Sequence, residues 1–170
     1  MIAPTRRSAK LPRMFCAIFS LTSLLWYFGG AEGVFAAEAP RPLATFNARV
    51  EIDIEDGEVE VWASFTRSAS GTGLDLSTEA VGLEVKGGAG AYSITIPPGS
   101  FKKDGSGVFR FQRTINKVKV EASIRPSRDG AFDFEIQTEG ANLKGFANPV
   151  TLSLSIGGDG GTKTVRAKIE

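Results

Sequence analysis

Trp62, with Glu58 and Glu60 preceding it at intervals of two, is the combination in this chain best suited to hold a ligand. Val59, Val61, Ala63 and Phe65 alternate with Glu58, Glu60, Trp62 and Ser64, so the apolar set faces a core and the tryptophan is expected to face outward. An outward indole desolvates the C–H groups of a sugar ring while nearby carboxylates accept its hydroxyl protons. The competing expectation is that a loop over residues 67–78 covers the ring, since large exposed aromatics are covered or functional. Tyr92, the other amphipathic aromatic of the region, has an inward register.

Two arrangements suggest a cation site. Asp53, Glu55, Asp56 and Glu58 bracket the Asp56-Gly57 turn, but their spacing fits no EF-hand, and solvated strand faces with turn chemistry account for them. Gly157 to Gly161 is similar to one turn of a calcium-binding nonapeptide repeat, occurs once, and is expected to be a hairpin loop. No metal or cofactor is expected.

The sequence contains no histidine, and its single cysteine is Cys16. Without histidine there is no Ser-His-Asp or Cys-His couple and no histidine-ligated zinc. Ser100 and Lys102 are the nearest approach to a Ser-Lys couple, and nothing marks Lys102 as desolvated. A small domain with no evident insertion rarely sets paired carboxylates across a cleft, so a non-enzymatic role is expected.

These residues sit on a chain organised as short alternating segments. Phe46, Ala48, Val50, Ile52 and Ile54 form the apolar register of one strand, and Asp56-Gly57 signals a hairpin to the Trp62 strand. Further strands are expected around Val81–Val85, Tyr92–Ile96, Phe109–Ile115, Val118–Ile124, Phe132–Ile136 and Val150–Ile156. A short one is expected near Asn142–Phe146, and a last one holds Val165, Ala167 and Ile169. Pro97-Pro98 ends the fourth strand, because proline cannot donate to a ladder. Eight or nine strands without a helical period predict an all-β fold, an antiparallel β-sandwich, with a β-barrel as the alternative.

Ahead of this pattern, Arg6, Arg7, Lys10 and Arg13 precede an apolar run from Met14 to Phe28, and Val34-Phe35-Ala36 supplies a small-residue cleavage site. This reads as a secretory signal peptide over residues 1–36. The run is shorter than the roughly 20 apolar residues that span a membrane. Residues 37–43 read as a linker and 44–170 as the domain. The leader holds four of the 20 basic and one of the 19 acidic residues, so its removal leaves 134 residues and a net charge of −2. That balance does not suit a nucleic-acid binder. Opposite charges segregate: acids crowd residues 51–60, while Lys102, Lys103, Arg110, Arg113, Lys117 and Lys119 fall together. Adjacent in one sheet, these hairpins would form cross-strand ion pairs; in opposite sheets they would make the domain a dipole.

Ile96-Pro97-Pro98-Gly99-Ser100-Phe101-Lys102-Lys103, Thr114-Ile115-Asn116 and the segment from Asn148 to Gly157 resemble uncharacterised secreted bacterial β-sandwich domains of Ig-like architecture. The resemblance implies the fold and carries no activity or site. It departs at Lys117, where the pattern has glycine, which leaves the type of that turn open. The expectation is therefore an exported, non-catalytic binding or structural module of the cell envelope or exterior, with an unknown protein or glycan as partner. A glycan-binding module would use Trp62, and an assembly subunit would show an exposed hydrophobic strand edge. A small hydrolase would need converging carboxylates.

Overall fold

In the computed structural model of the chain, which describes residues 40–68 and 73–170, the alternating segments become strands of two sheets. The segment read as a signal peptide, residues 1–36, lies outside the described residues. Among the described residues, no helix is long and apolar enough to cross a membrane.

The strands are β1 (Arg41–Pro42), β2 (Thr45–Asp53), β3 (Glu58–Thr66), β4 (Val81–Gly87), β5 (Gly90–Ile96), β6 (Lys102–Lys103), β7 (Phe109–Ile115), β8 (Val118–Pro126), β9 (Ala131–Glu139), β10 (Val150–Ile156), β11 (Asp159–Val165) and β12 (Lys168–Ile169). One sheet has the order β1-β11-β10-β4-β5, the other β12-β2-β3-β9-β8-β7-β6. Neither closes into a barrel. Pairing is antiparallel except at two of the short edge strands: β1 runs parallel to β11, and β12 runs parallel to β2.

The core lies between the sheets and follows the expected registers. Val50, Ile52, Val59, Val61, Phe65, Phe134 and Ile136 from one sheet are buried, as are Val81, Leu83, Val85, Leu152, Leu154 and Ile156 from the other. Fully burying such a side chain contributes about 1.5–3 kcal/mol, which lets alternation alone fix each strand's face.

The hairpin between β2 and β3 closes through residues 54–57. Asp53 Oδ1 accepts the backbone N–H of Glu55 at 2.9 Å and of Asp56 at 3.1 Å, so this acid serves the turn. Gly57 has φ +67°, and a Cβ there would lie 2.5 Å from the Ala141 carbonyl oxygen. Only glycine meets both conditions.

Two local expectations are corrected. The segment near Asn142–Phe146 is not a strand. It is a loop that plugs one end of the sandwich with buried Leu143 and Phe146; their spacing of three cannot alternate across a sheet. The last strand also divides. β11 pairs with β10 in one sheet, whereas β12 pairs with β2 in the other.

That division has a counterpart at the start of the chain. Residues 41–42, within the segment read as a linker, pair with Asp159 and Gly160. The chain then crosses to the other sheet, where Glu51 and Ile52 pair with Lys168 and Ile169. Thus the first and last strands switch sheets together along one side of the sandwich. The Asn148 side chain secures the crossing, accepting from the Ala167 N–H at 2.7 Å and donating to its carbonyl at 2.8 Å.

Behind this seam lies a buried ion network. Asp159, fully buried, accepts from Arg67 Nε at 2.5 Å, and Arg67 also bonds Glu79 at 2.7 Å. Arg41 Nε lies 2.9 Å from the other Asp159 oxygen. Glu79 and Asp159 hold the Arg67 guanidinium above its usual pKa, outweighing burial, the largest single influence, which lowers it. The arginine therefore stays charged. Gly157 to Gly161 does form a hairpin loop with the start of β11, and its aspartate turns inward as the anchor of this network.

Candidate functional site

The outer face of the seven-stranded sheet carries every residue singled out for ligand binding. On β3, Glu58, Glu60 and Trp62 alternate with buried Val59, Val61 and Ala63, so all three point away from the core as their register requires. Cross-strand pairing then decides their neighbours. Trp62 lies between Arg49 on β2 and Glu135 on β9. Next to that row is Asn47–Ser64–Asp133–Arg125, and on the other side Glu51–Glu60–Gln137–Glu121.

The tryptophan belongs to a shallow depression of about 480 Å³ whose polar side chains are Asn47, Ser64, Ser123, Arg125, Asp133 and Glu135. Glu58 and Glu60 do not line it. They border a separate hollow of about 140 Å³ with Glu51, Asp53, Lys168 and Glu170. Sequence spacing thus places the three residues on one face, and the sheet gives Trp62 a different pair of carboxylates.

Among the described residues, what lies over the indole is an arginine. Arg49 sits above the ring, its guanidinium carbon 5.2 Å from the centroid, a favourable cation–π distance. The same arginine pairs with Glu51 on its own strand. Its side chain remains 71 % exposed and does not line the depression. The described part of the 67–78 loop is anchored elsewhere, by Arg67 to Asp159 and by buried Leu76 next to Gly99.

Electrostatics set the two hollows apart. Burial pushes the Glu60 carboxyl above its usual pKa, with added repulsion from Glu58, Glu51 and Glu135. Glu58 accepts a hydrogen bond from Gln137. In the Trp62 depression, by contrast, Asp133 faces Arg125 across the β8–β9 pair, which mixes donors and acceptors around the ring. A second hollow of about 270 Å³ adjoins it, since Ser123 and Glu135 line both.

The acidic and basic hairpins prove to be in the same sheet, separated by β9. They form no direct ladder with each other. Instead Lys119 pairs with Glu139 on β9 at 3.1 Å and with Glu121 at 3.3 Å, and Arg110 pairs with Asp104 at 3.1 Å. The opposite-sheet dipole therefore does not arise. Ser100 lies in the turn after Pro97, and Lys102 is exposed opposite Arg110, with buried Phe101 between them in sequence.

Sequence reasoning missed Asn47, Arg125, Asp133 and Glu135 as members of the site. Their outward registers were readable from Phe46, Ile124, Phe132 and Phe134; the pairing of β9 with β3 was not. Comparison with protein-family models, curated proteins and solved structures gave no match for this chain, so its function must be read from the geometry of this face.

Proposed function

We propose that this chain is an exported, non-catalytic binding module whose ligand is an oligosaccharide held on the outer face of the seven-stranded sheet. The observation that carries the reading is the ring of planar polar groups around Trp62. Asn47, Arg125, Asp133 and Glu135 offer paired donors and acceptors for vicinal hydroxyls, while the indole receives the apolar face of a sugar ring. The adjoining hollow at Gln112, Glu121 and Gln137 extends the surface in the direction a second sugar unit would take.

A non-catalytic role is supported by the carboxylates themselves. Asp133 and Glu135 are neighbours on one face of β9, so they approach a ligand from the same side. Glycoside hydrolysis needs two carboxyl groups flanking the scissile bond, about 5–10 Å apart. Export is proposed on the basic, apolar and small-residue pattern of residues 1–36.

Calorimetric titration with a panel of neutral and acidic oligosaccharides tests the assignment. Binding should appear at or below about 1 mM, near −4 kcal/mol, and vanish in Trp62→Ala and Asp133→Ala. Glu58→Gln should retain it. A panel without binding, or binding indifferent to Trp62, refutes the reading.

A further inference from the structure

Among the described residues, the edges of both sheets are guarded except one. β6 consists of Lys102 and Lys103; β12 is two residues long and includes Lys168; β1 ends at Pro42 as the chain leaves the sheet. Short length, lysine and proline are the usual means of stopping another strand from pairing. β5 has none of them. It is seven residues, Gly-Ala-Tyr-Ser-Ile-Thr-Ile, without charge or proline, and it pairs only with β4. The Gly90 N–H at its start is taken by the Gly145 carbonyl at 3.0 Å; beyond that residue, alternate positions present an unpaired N–H and C=O on the open side.

Beside this edge is a cleft of about 300 Å³ between β5 and the tip of the β7–β8 hairpin. Tyr92, Ile94, Ile115 and Val118 give it apolar walls. Ile94 is buried, whereas Tyr92, Ile115 and Val118 remain partly open. Arg113 shares the inward register of Phe111 and Ile115 on β7 but is exposed, and Lys117 projects from the hairpin turn. Neither forms an ion pair among the described residues.

We infer that the β5 edge takes up one extended segment of a partner protein as a sixth strand, with apolar side chains alternating into the cleft and an acidic residue meeting Arg113 and Lys117. Backbone pairing supplies affinity in this mode of recognition, and the alternating pockets supply choice. Charge selects the occupant. A second copy docked through its own β5 would bring its own Arg113 and Lys117 to the same opening, a like-charge juxtaposition, whereas an acidic segment relieves it.

The test uses a short blocked peptide of alternating valine and threonine with glutamate at each end, and a counterpart with lysine ends. Amide hydrogen exchange of the full chain is followed by NMR. The glutamate peptide should slow exchange at alternate β5 residues, shift Ile115 and Val118, and leave Trp62 untouched. It should bind about tenfold tighter than the lysine peptide at low salt, and Arg113→Glu should reverse that order. Unchanged β5 exchange with both peptides at millimolar concentration overturns the inference, as does equal binding by wild type and Arg113→Glu. A concentration-dependent doubling of mass with protection of β5 in the absence of peptide also overturns it, in favour of self-pairing.

Discussion

Replacing Arg67 by alanine should be among the most damaging single changes available outside the apolar core. The side chain is 6 % exposed, and it neutralises Asp159, which is fully buried, together with Glu79, which is 18 % exposed. Removing one partner from a buried pair costs about 3–5 kcal/mol, because the remaining charge is stranded in a poor solvent. Arg41 stays near Asp159 but is half exposed, which places the expected loss near the lower end, about 3 kcal/mol. Against a total stability of about 5–15 kcal/mol this is a large fraction. At about 4 °C per kcal/mol for a domain of this size, the melting temperature should fall by about 12 °C. Urea and thermal denaturation by circular dichroism measure it, with Arg110→Ala as the control, since the Arg110–Asp104 pair is open to solvent. The deficit should persist at high salt, where exposed pairs are screened. If Arg67→Ala melts no lower than Arg110→Ala, the network does not hold the sandwich together and the reasoning fails.

Three further outcomes are expected. Asn116 and Lys117 both have positive φ, +50° and +71°, the conformation of a type I′ turn, so Lys117→Gly should stabilise the chain by about 1 kcal/mol, read as a higher melting temperature. Asp104 is held down at about 2, chiefly by the Ser106 hydroxyl, with Arg110 and the Ser106 and Val108 amides assisting. Its contribution is therefore complete above the unfolded value of about 3.9 and is lost as pH falls toward 2; carboxyl NMR should show that low midpoint, and Ser106→Ala should raise it. Glu60 is shifted the other way, by burial and then by Glu58, Glu51 and Glu135. Its ionised form weakens the fold, so Glu60→Gln should raise the melting temperature at pH 7, and the gain should disappear as pH falls below about 4, where the native glutamate is protonated in both states.

The fold was legible wherever a single strand's own alternation decided its face. Val50 and Ile52 on β2 and Val59 to Phe65 on β3 bury as their registers require, Phe46 and Ala48 are half-buried on the same face, and Trp62 points outward for the same reason. What a strand faces sideways was not legible, because Trp62 pairs with Glu135, seventy-three positions later, and nothing local to either records the pairing. Glu58 and Glu60 were natural companions for the tryptophan in sequence; the sheet put them in another hollow. Val165, Ala167 and Ile169 keep perfect alternation through the crossing at Arg166, since alternation reports the buried face and not the sheet. Asp159 was hidden by its glycine-rich surroundings: its burial is decided by Arg67, ninety-two positions earlier.

The joint crossing of the first and last strands sets the order in which this protein can be completed. β2 and β3 can zip as soon as both exist, with a turn of four residues between them. The partners of Arg41 and Glu51, however, lie at Asp159 and Lys168, so this flank cannot form until nearly the whole domain has emerged. Contacts of such long sequence separation are slow to form. Until they do, Phe46 lacks the β11 segment at Gly161 that lies against it, and the half-built sandwich is a clasp with one side undone. The last twelve residues act as its fastener, and the moment they arrive is the moment the domain becomes able to shut.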